Sequence, residues 1–331
     1  MGGDRATGEV AVASVAARLV GSARDHVWFA AYLIGAVAYV AATGMPTARN
    51  RLFLLIGVGL IAASAGRPRA WARVIIDWAP LFFLLSFYDV LRAHADQWLT
   101  PHAIPQICFD EWLFGGTVPT IRLQHMIYTP GHPHVWDFLV FFVYLSHFFV
   151  PLVVAGILWK FAYERFRRFA VVFVSLTFLA FLTYALYPAV PPWLASKQAD
   201  LGPTSKIIDE MWVHVGLRSG ASVLSATAHL ANPVAAVPSL HAAYPLLLML
   251  FFWRSARRWR WLLPLYPLAM AFTLVYTAEH YVFDIILGWL YATVVFLAGS
   301  KLFDAWEARR RVPVAVAPVG VAPVPVTVST A

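Results

Sequence analysis

Val237-Pro238-Ser239-Leu240-His241-Ala242-Ala243 leads straight into an apolar run that ends at Trp253. Glu279-His280-Tyr281-Val282-Phe283-Asp284 leads in the same way into an apolar run that reaches Ser300. Each is a polar island at the mouth of a stretch that reads as a membrane helix. Pro and Ser ahead of an apolar run mark a helix start, with Ser239 as N-cap or first-turn residue. His280 and Asp284 are four apart and share a helical face. Ionisable groups at such depth are costly and functional by default. The bland alternatives are a plain capped helix with an interfacial histidine, and a buried polar pair that only pins two helices together.

Composition sets the class. Of 331 residues, 60% are hydrophobic and 13% charged, and the mean hydropathy is +0.68. An ordinary soluble domain has about 25% charged residues. The chain therefore reads as a polytopic membrane protein. Its formal charge of +8 sits in short basic clusters between apolar runs, which is a topology signal and not a nucleic-acid surface. Fourteen Trp suit interfacial belts. Cys108 is the lone cysteine, so no internal disulfide can form. Residues 1–25 are mixed and basic and do not read as a cleavable signal.

Apolar runs at roughly 27–43, 51–65, 72–92, 135–159, 168–188, 239–253, 260–278 and 282–300 predict an all-α polytopic bundle of about eight transmembrane helices. Four basic groups lie between or after them: Arg67, Arg69 and Arg73; Lys160, Arg165, Arg167 and Arg168; Arg254, Arg257, Arg258 and Arg260; Lys301, Arg309, Arg310 and Arg311. Eight spans put all four on one side, which is then cytoplasmic together with both termini. The extracytoplasmic side receives 93–134 and 189–238. The first reads as one or two short interfacial helices broken at Gly115-Gly116. In the second, the prolines of Tyr187-Pro188-Ala189-Val190-Pro191-Pro192-Trp193 end the fifth span and hold the chain extended. Residues 312–331 form a Val/Ala/Pro tail expected to be disordered. The expected organisation is 1–130 as N-terminal spans and interfacial segment, 131–303 as catalytic membrane domain, and 304–331 as cytoplasmic tail.

This topology brings Ser239, His241, His280, Asp284, Pro191 and Trp193 to one membrane face. Asp284 orients the imidazole of His280 and leaves its other nitrogen as a nucleophile. His241, beside a helix N-terminus that suits an anion, serves as general acid. Asp137, Tyr144, His147 and Pro151 follow at spacings of seven, three and four, one stripe of the fourth span. That stripe faces either a polar site or a neighbouring helix. Arg92, three residues after Asp89, is a candidate for an anionic head group, and Asn232, ahead of the Pro-Ser motif, is a further substrate-side candidate. A transporter would need a polar route to both faces, whereas these groups cluster at one. A structural scaffold is the remaining competitor.

Taken together, these residues resemble the type 2 phosphatidic acid phosphatase superfamily. Its second motif, Pro-Ser-x-His, is matched by Pro238, Ser239 and His241, and its third, ending His-x-x-x-Asp, by His280 and Asp284. Pro191-Pro192-Trp193, the Leu240 variant of the second motif, His280-Tyr281, and the Asp137…Tyr144…His147…Pro151 spacing resemble the branch containing fungal inositol phosphorylceramide synthase and its actinobacterial relatives. The likeness covers roughly 130–300. It implies a six-helix phosphatase-like core and a phosphohistidine on His280, with His241 protonating the leaving group. It also implies no metal and no cofactor.

Two departures stand out. The first motif, Lys-x6-Arg-Pro, is absent; Lys160 and Arg167 have the spacing, but Arg168 follows and the loop is on the wrong side. Thr273-Leu274 replaces the usual Ser-Arg. The phosphate-clamping cations must then come from elsewhere, with Lys206 the first choice. The expected donor is a phospholipid or polyprenyl phosphate and the acceptor a polyol or lipid alcohol, at the outer face of a bacterial plasma membrane. Inositol-phosphate transfer from phosphatidylinositol is the sharpest expectation. Hydrolysis of a lipid phosphate by the same residues is its alternative.

Overall fold

The computed structural model describes residues 27–42, 49–64, 72–84, 99–215 and 234–310. Among them the chain is helical and forms no strand longer than an isolated bridge. In order, the helices are α1 (Val27–Ala42), α2 (Arg49–Ala62), α3 (72–84), α4 (Ile104–Phe114), α5 (Pro119–Ile127), α6 (Val135–Phe161), α7 (Tyr163–Leu186), α8 (Pro192–Lys197), α9 (Ile207–His214), α10 (Leu240–Phe252), α11 (Leu265–Tyr276) and α12 (Val282–Arg310). A 3-10 turn, Arg257–Leu262, links α10 to α11.

Helices α6, α7 and α12 are long and apolar enough to cross a membrane. Their outward faces carry exposed Leu, Ile, Val and Phe, such as Phe142, Val153, Phe178, Leu290 and Val294, the pattern of a lipid-facing surface. The chain is an integral membrane protein. α10 and α11 are shorter than the roughly 20 residues a free-standing span needs. Instead, α10 packs into the angle between α12, α11 and α7. Phe169, Val172 and Leu176 of α7, Leu240, Ala243 and Leu247 of α10, and Ala292 of α12 form the continuous core there.

Several limits differ from the sequence expectation. α7 starts at Tyr163 and not near 168, because the chain between α6 and α7 breaks at Ala162 alone. The seventh apolar run is helical only over α11, with the basic Arg257–Leu262 stretch wound as 3-10 helix. α12 continues past 303 to Arg310, its last turns carrying charge partners for α7. Pro192 opens α8 and does not stay extended, since proline suits a first helical position where no N–H bond is lost. The expected break at Gly115-Gly116 separates two short helices, α4 and α5, and Gly115 ends α4 with a left-handed φ of 72°.

Among the described residues, the basic side chains between α6 and α7 gather at one end of the bundle. Arg165 donates to Ser255, Arg167 pairs with Glu164 and Glu307, Arg168 pairs with Asp304, and Lys160 donates to the Ala63 carbonyl. The polar motifs sit at the other end: at 1.5 Å per residue, Asp284 and Glu307 are about 35 Å apart along α12. The Lys160/Arg167 spacing is therefore remote from the histidines.

Candidate active site

Three chain segments meet at the motif end through backbone bonds. His102 donates to Pro188 at 2.9 Å and accepts from Val190 at 2.9 Å; Ala189 donates to Val234 at 2.6 Å and accepts from Ala236 at 3.2 Å. This short parallel tie seats the 187–193 segment beside the entry to α10. The Trp193 amide then donates to Ala278 at 3.1 Å, joining it to the turn before α12.

The two motifs are bonded directly to each other. Ser239 accepts the Ala242 amide at 3.3 Å, the expected N-cap of α10, while its own N–H donates to the Asp284 carbonyl at 3.0 Å. Tyr184 of α7 donates to the Pro238 carbonyl at 2.7 Å and fixes the turn from behind. Gly288, one turn beyond Asp284, lets α12 approach this turn. A Cβ there would lie under 3.0 Å from the Ser239 carbonyl oxygen and 3.2 Å from its carbon.

The result is a histidine cluster. His280 Nδ1 lies 3.2 Å from Asp284 Oδ2, which also accepts the Tyr281 amide at 3.0 Å. With Nδ1–H directed at the carboxylate, Nε2 keeps its lone pair. The His241 ring is 5.6 Å from that of His280, centroid to centroid. His147 stacks on His241 at 3.8 Å, and Tyr144 stacks on it at 4.9 Å. His280 is 6% exposed and Asp284 fully buried. Burial pushes the His280 imidazole down to about 3, opposed slightly by the Ala236 carbonyl, so it stays neutral at physiological pH.

Other sequence candidates lie around this centre. Trp193 carries Lys206 over its ring at 4.5 Å and Lys197 at 5.0 Å. Lys206 also pairs with Asp209 at 3.2 Å, and it lowers the pKa of Glu279. Asp137 is engaged differently. One oxygen accepts the Tyr276 hydroxyl at 2.6 Å and the other the His134 amide at 2.7 Å, so it caps α6 and ties it to α11. It lies two turns along α6 from Tyr144, which accounts for its separate contacts. Arg92 and Asn232 fall outside the described residues.

The sequence reading missed four residues. Gly288 was legible in principle, as a glycine four after Asp284 inside an apolar run. Glu279 stands next to His280, and burial pushes its carboxyl up to about 7. Tyr184 and Asp110 gave no local signal, because their partners are 54 and more than 170 residues away.

Residues 109–298 match the PAP2 superfamily. The chain is 31% identical over 254 residues to the phosphoinositol dihydroceramide synthase of Bacteroides thetaiotaomicron, covering 72% of this chain and 80% of that protein. It is 25% identical over 241 residues to the inositol phosphorylceramide synthase catalytic subunit of Schizosaccharomyces pombe, covering 70% of this chain and 53% of that protein. No solved structure matches the chain significantly.

Proposed function

The chain belongs to the PAP2 superfamily, and from that premise we propose that it transfers a polyol-phosphate head group between membrane lipids through a phosphohistidine on His280. The donor is a phospholipid of the phosphatidylinositol type and the acceptor a lipid alcohol of the ceramide type, as the names of the two relatives suggest.

Nε2 of His280 attacks phosphorus, and the bond from phosphorus to the diacylglycerol oxygen breaks. His241 gives that oxygen its proton, so diacylglycerol leaves neutral. The acceptor hydroxyl then attacks the same phosphorus, His241 takes its proton, and the N–P bond breaks. Nucleophilic attack spans about 3–3.5 Å and proton transfer about 2.6–3.2 Å. The His241 and His280 ring centroids are 5.6 Å apart, so the two imidazoles are neighbours at one site. Asp284 stabilises the charge that His280 acquires. The open N–H groups of α10 and the rim cations, Lys206 first among them, offset the phosphate charge.

The observation that carries transfer over hydrolysis is burial. A His280 that is 6% exposed shields its phosphoryl adduct from water. The site lies at the end of the bundle away from the basic clusters, which supports an extracytoplasmic opening with the helix ends near Arg168 and Arg310 inside.

The test is a transfer assay in vesicles containing phosphatidylinositol labelled in its inositol, with ceramide supplied as acceptor. Labelled inositol phosphorylceramide, formed by wild type and absent with His280→Ala, is the expected result. Water-soluble inositol phosphate in its place, or orthophosphate released from a polyprenyl phosphate, would make the enzyme a hydrolase.

A further inference from the structure

α12 begins with backbone N–H groups that have no partner inside the helix, as every helix does. Asp284, from within, accepts the N–H of Tyr281. The next two donors go to a carboxylate from a distant segment. Asp110 of α4 accepts Val282 N–H through Oδ2 at 2.9 Å and Phe283 N–H through Oδ1 at 3.0 Å, across 172 and 173 residues of chain. Asp110 is fully buried. Around it α4 is seated on the same helix start: Phe109 packs edge-on to Phe283 at 5.1 Å, and Tyr281 is buried with Ala103 and Ile107.

His280 lies in the turn just before this clamp. On its other side the turn is held by α11, whose Leu274 carbonyl accepts the amides of Glu279 at 3.0 Å and His280 at 3.2 Å. The nucleophile thus hangs between two anchors, one on α11 and one on Asp110. Resting on the reading of His280 as nucleophile, we propose that Asp110 is a positioning residue that clamps the first turn of α12 from outside and holds the His280–Asp284 pair in register with His241.

The chemistry fits a carboxylate and no shorter list of substitutes. Two parallel N–H groups need two acceptor oxygens. Asparagine offers one and turns an NH2 toward the other donor. Serine or water reaches one donor only. Burial works against ionisation and pushes the Asp110 carboxyl up to about 6, the two N–H bonds work in its favour, and Asp284 on the same helix start adds repulsion. Tyr281, which senses Asp110, Asp284 and Asp200 together, is a further titratable group packed there. In a buried acid beside a second one, the two acceptor oxygens are what the surrounding N–H groups use.

The experiment compares Asp110→Ala, Asp110→Asn and Ile107→Ala in the full-length protein. The 15N resonances of the His280 ring, assigned by their loss in His280→Asn, report its bond to Asp284. Steady-state kinetics and thermal melting run alongside. Loosening the turn by about 1 Å lowers kcat on the order of 100-fold in Asp110→Ala. Asp110→Asn falls between it and wild type, KM stays near wild type in both, and the His280 resonances shift. Ile107→Ala, a packing change on the same helix, lowers the melting temperature with the resonances in place.

Folded Asp110→Asn with wild-type resonances and kcat would overturn the proposal. So would an equal loss of kcat, with equally shifted resonances, in Ile107→Ala. The ring resonances read the clamp whether or not a donor is turned over. A shift in an enzyme that forms no phosphohistidine would therefore count against the mechanism and not against the clamp.

Discussion

Gly288→Ala is the smallest change that tests the packing behind the site. The new Cβ would sit under 3.0 Å from the Ser239 carbonyl oxygen, 3.2 Å from its carbon and 3.4 Å from the Ser239 nitrogen. Those are backbone atoms of the N-cap, and they cannot rotate away. Ordinary contact lies near 3.5 Å, so α12 and the start of α10 must part by roughly 1 Å. Overpacking of this kind costs about 1–3 kcal/mol of stability. The same displacement separates His280 on one element from His241 on the other, and about 1 Å of misplacement lowers turnover on the order of 100-fold. Gly299→Ala is the matched control on the same helix, because its Cβ meets only a methyl group of Val172, at 3.2 Å. It should lose less stability than Gly288→Ala, because a side-chain methyl can shift by a few tenths of an ångström where backbone cannot, and it should keep full activity. Head-group transfer rates and thermal melting of both variants decide the matter. Wild-type kcat and melting in Gly288→Ala would refute the close approach of the two motifs.

Glu279 makes a pH prediction. Its carboxyl is raised from 4.5 to about 7 by burial, with Lys206 opposing and Asp209 reinforcing. A raised folded-state value means its contribution to stability is full below about pH 4.5 and lost as the pH rises through about 7. The melting temperature should fall across that window and Glu279→Gln should flatten the fall; a slope unchanged in Glu279→Gln would refute it. Tyr184→Phe strands the Pro238 carbonyl without its 2.7 Å donor, which costs about 1–3 kcal/mol in thermal or denaturant melts. Asp137→Asn removes one of two acceptors at the α6–α11 tie and should lower the melting temperature with KM unchanged. A raised KM with unaltered melting would return Asp137 to the substrate.

The clustering of the two motifs was legible because its signals are local. Ser239 before an apolar run is an N-cap in any helix, and His280 with Asp284 share a face by spacing alone. Tyr144 and His147 were placed by the same arithmetic, and both stack on His241. Asp137 obeyed the spacing too, yet its partners are Tyr276 and the His134 amide, since a stripe on a long helix passes more than one neighbour. Asp110 was not legible. An acid in an aromatic-rich interfacial stretch carries no local sign that its oxygens cap a helix 172 residues later. Helix ends were blurred for a related reason: hydropathy reports apolar length, whereas α10 and α11 are helical over only part of their apolar runs and pack between neighbouring helices.

The central claim is that phosphorus is carried by His280. The direct measurement is a rapid alkaline quench of purified enzyme turning over a donor labelled at phosphorus, followed by mapping of the labelled peptide. The account predicts label on His280, none in His280→Asn, and label that disappears when the lipid alcohol is added. Continued head-group transfer with label on another residue, or by His280→Asn itself, would contradict it.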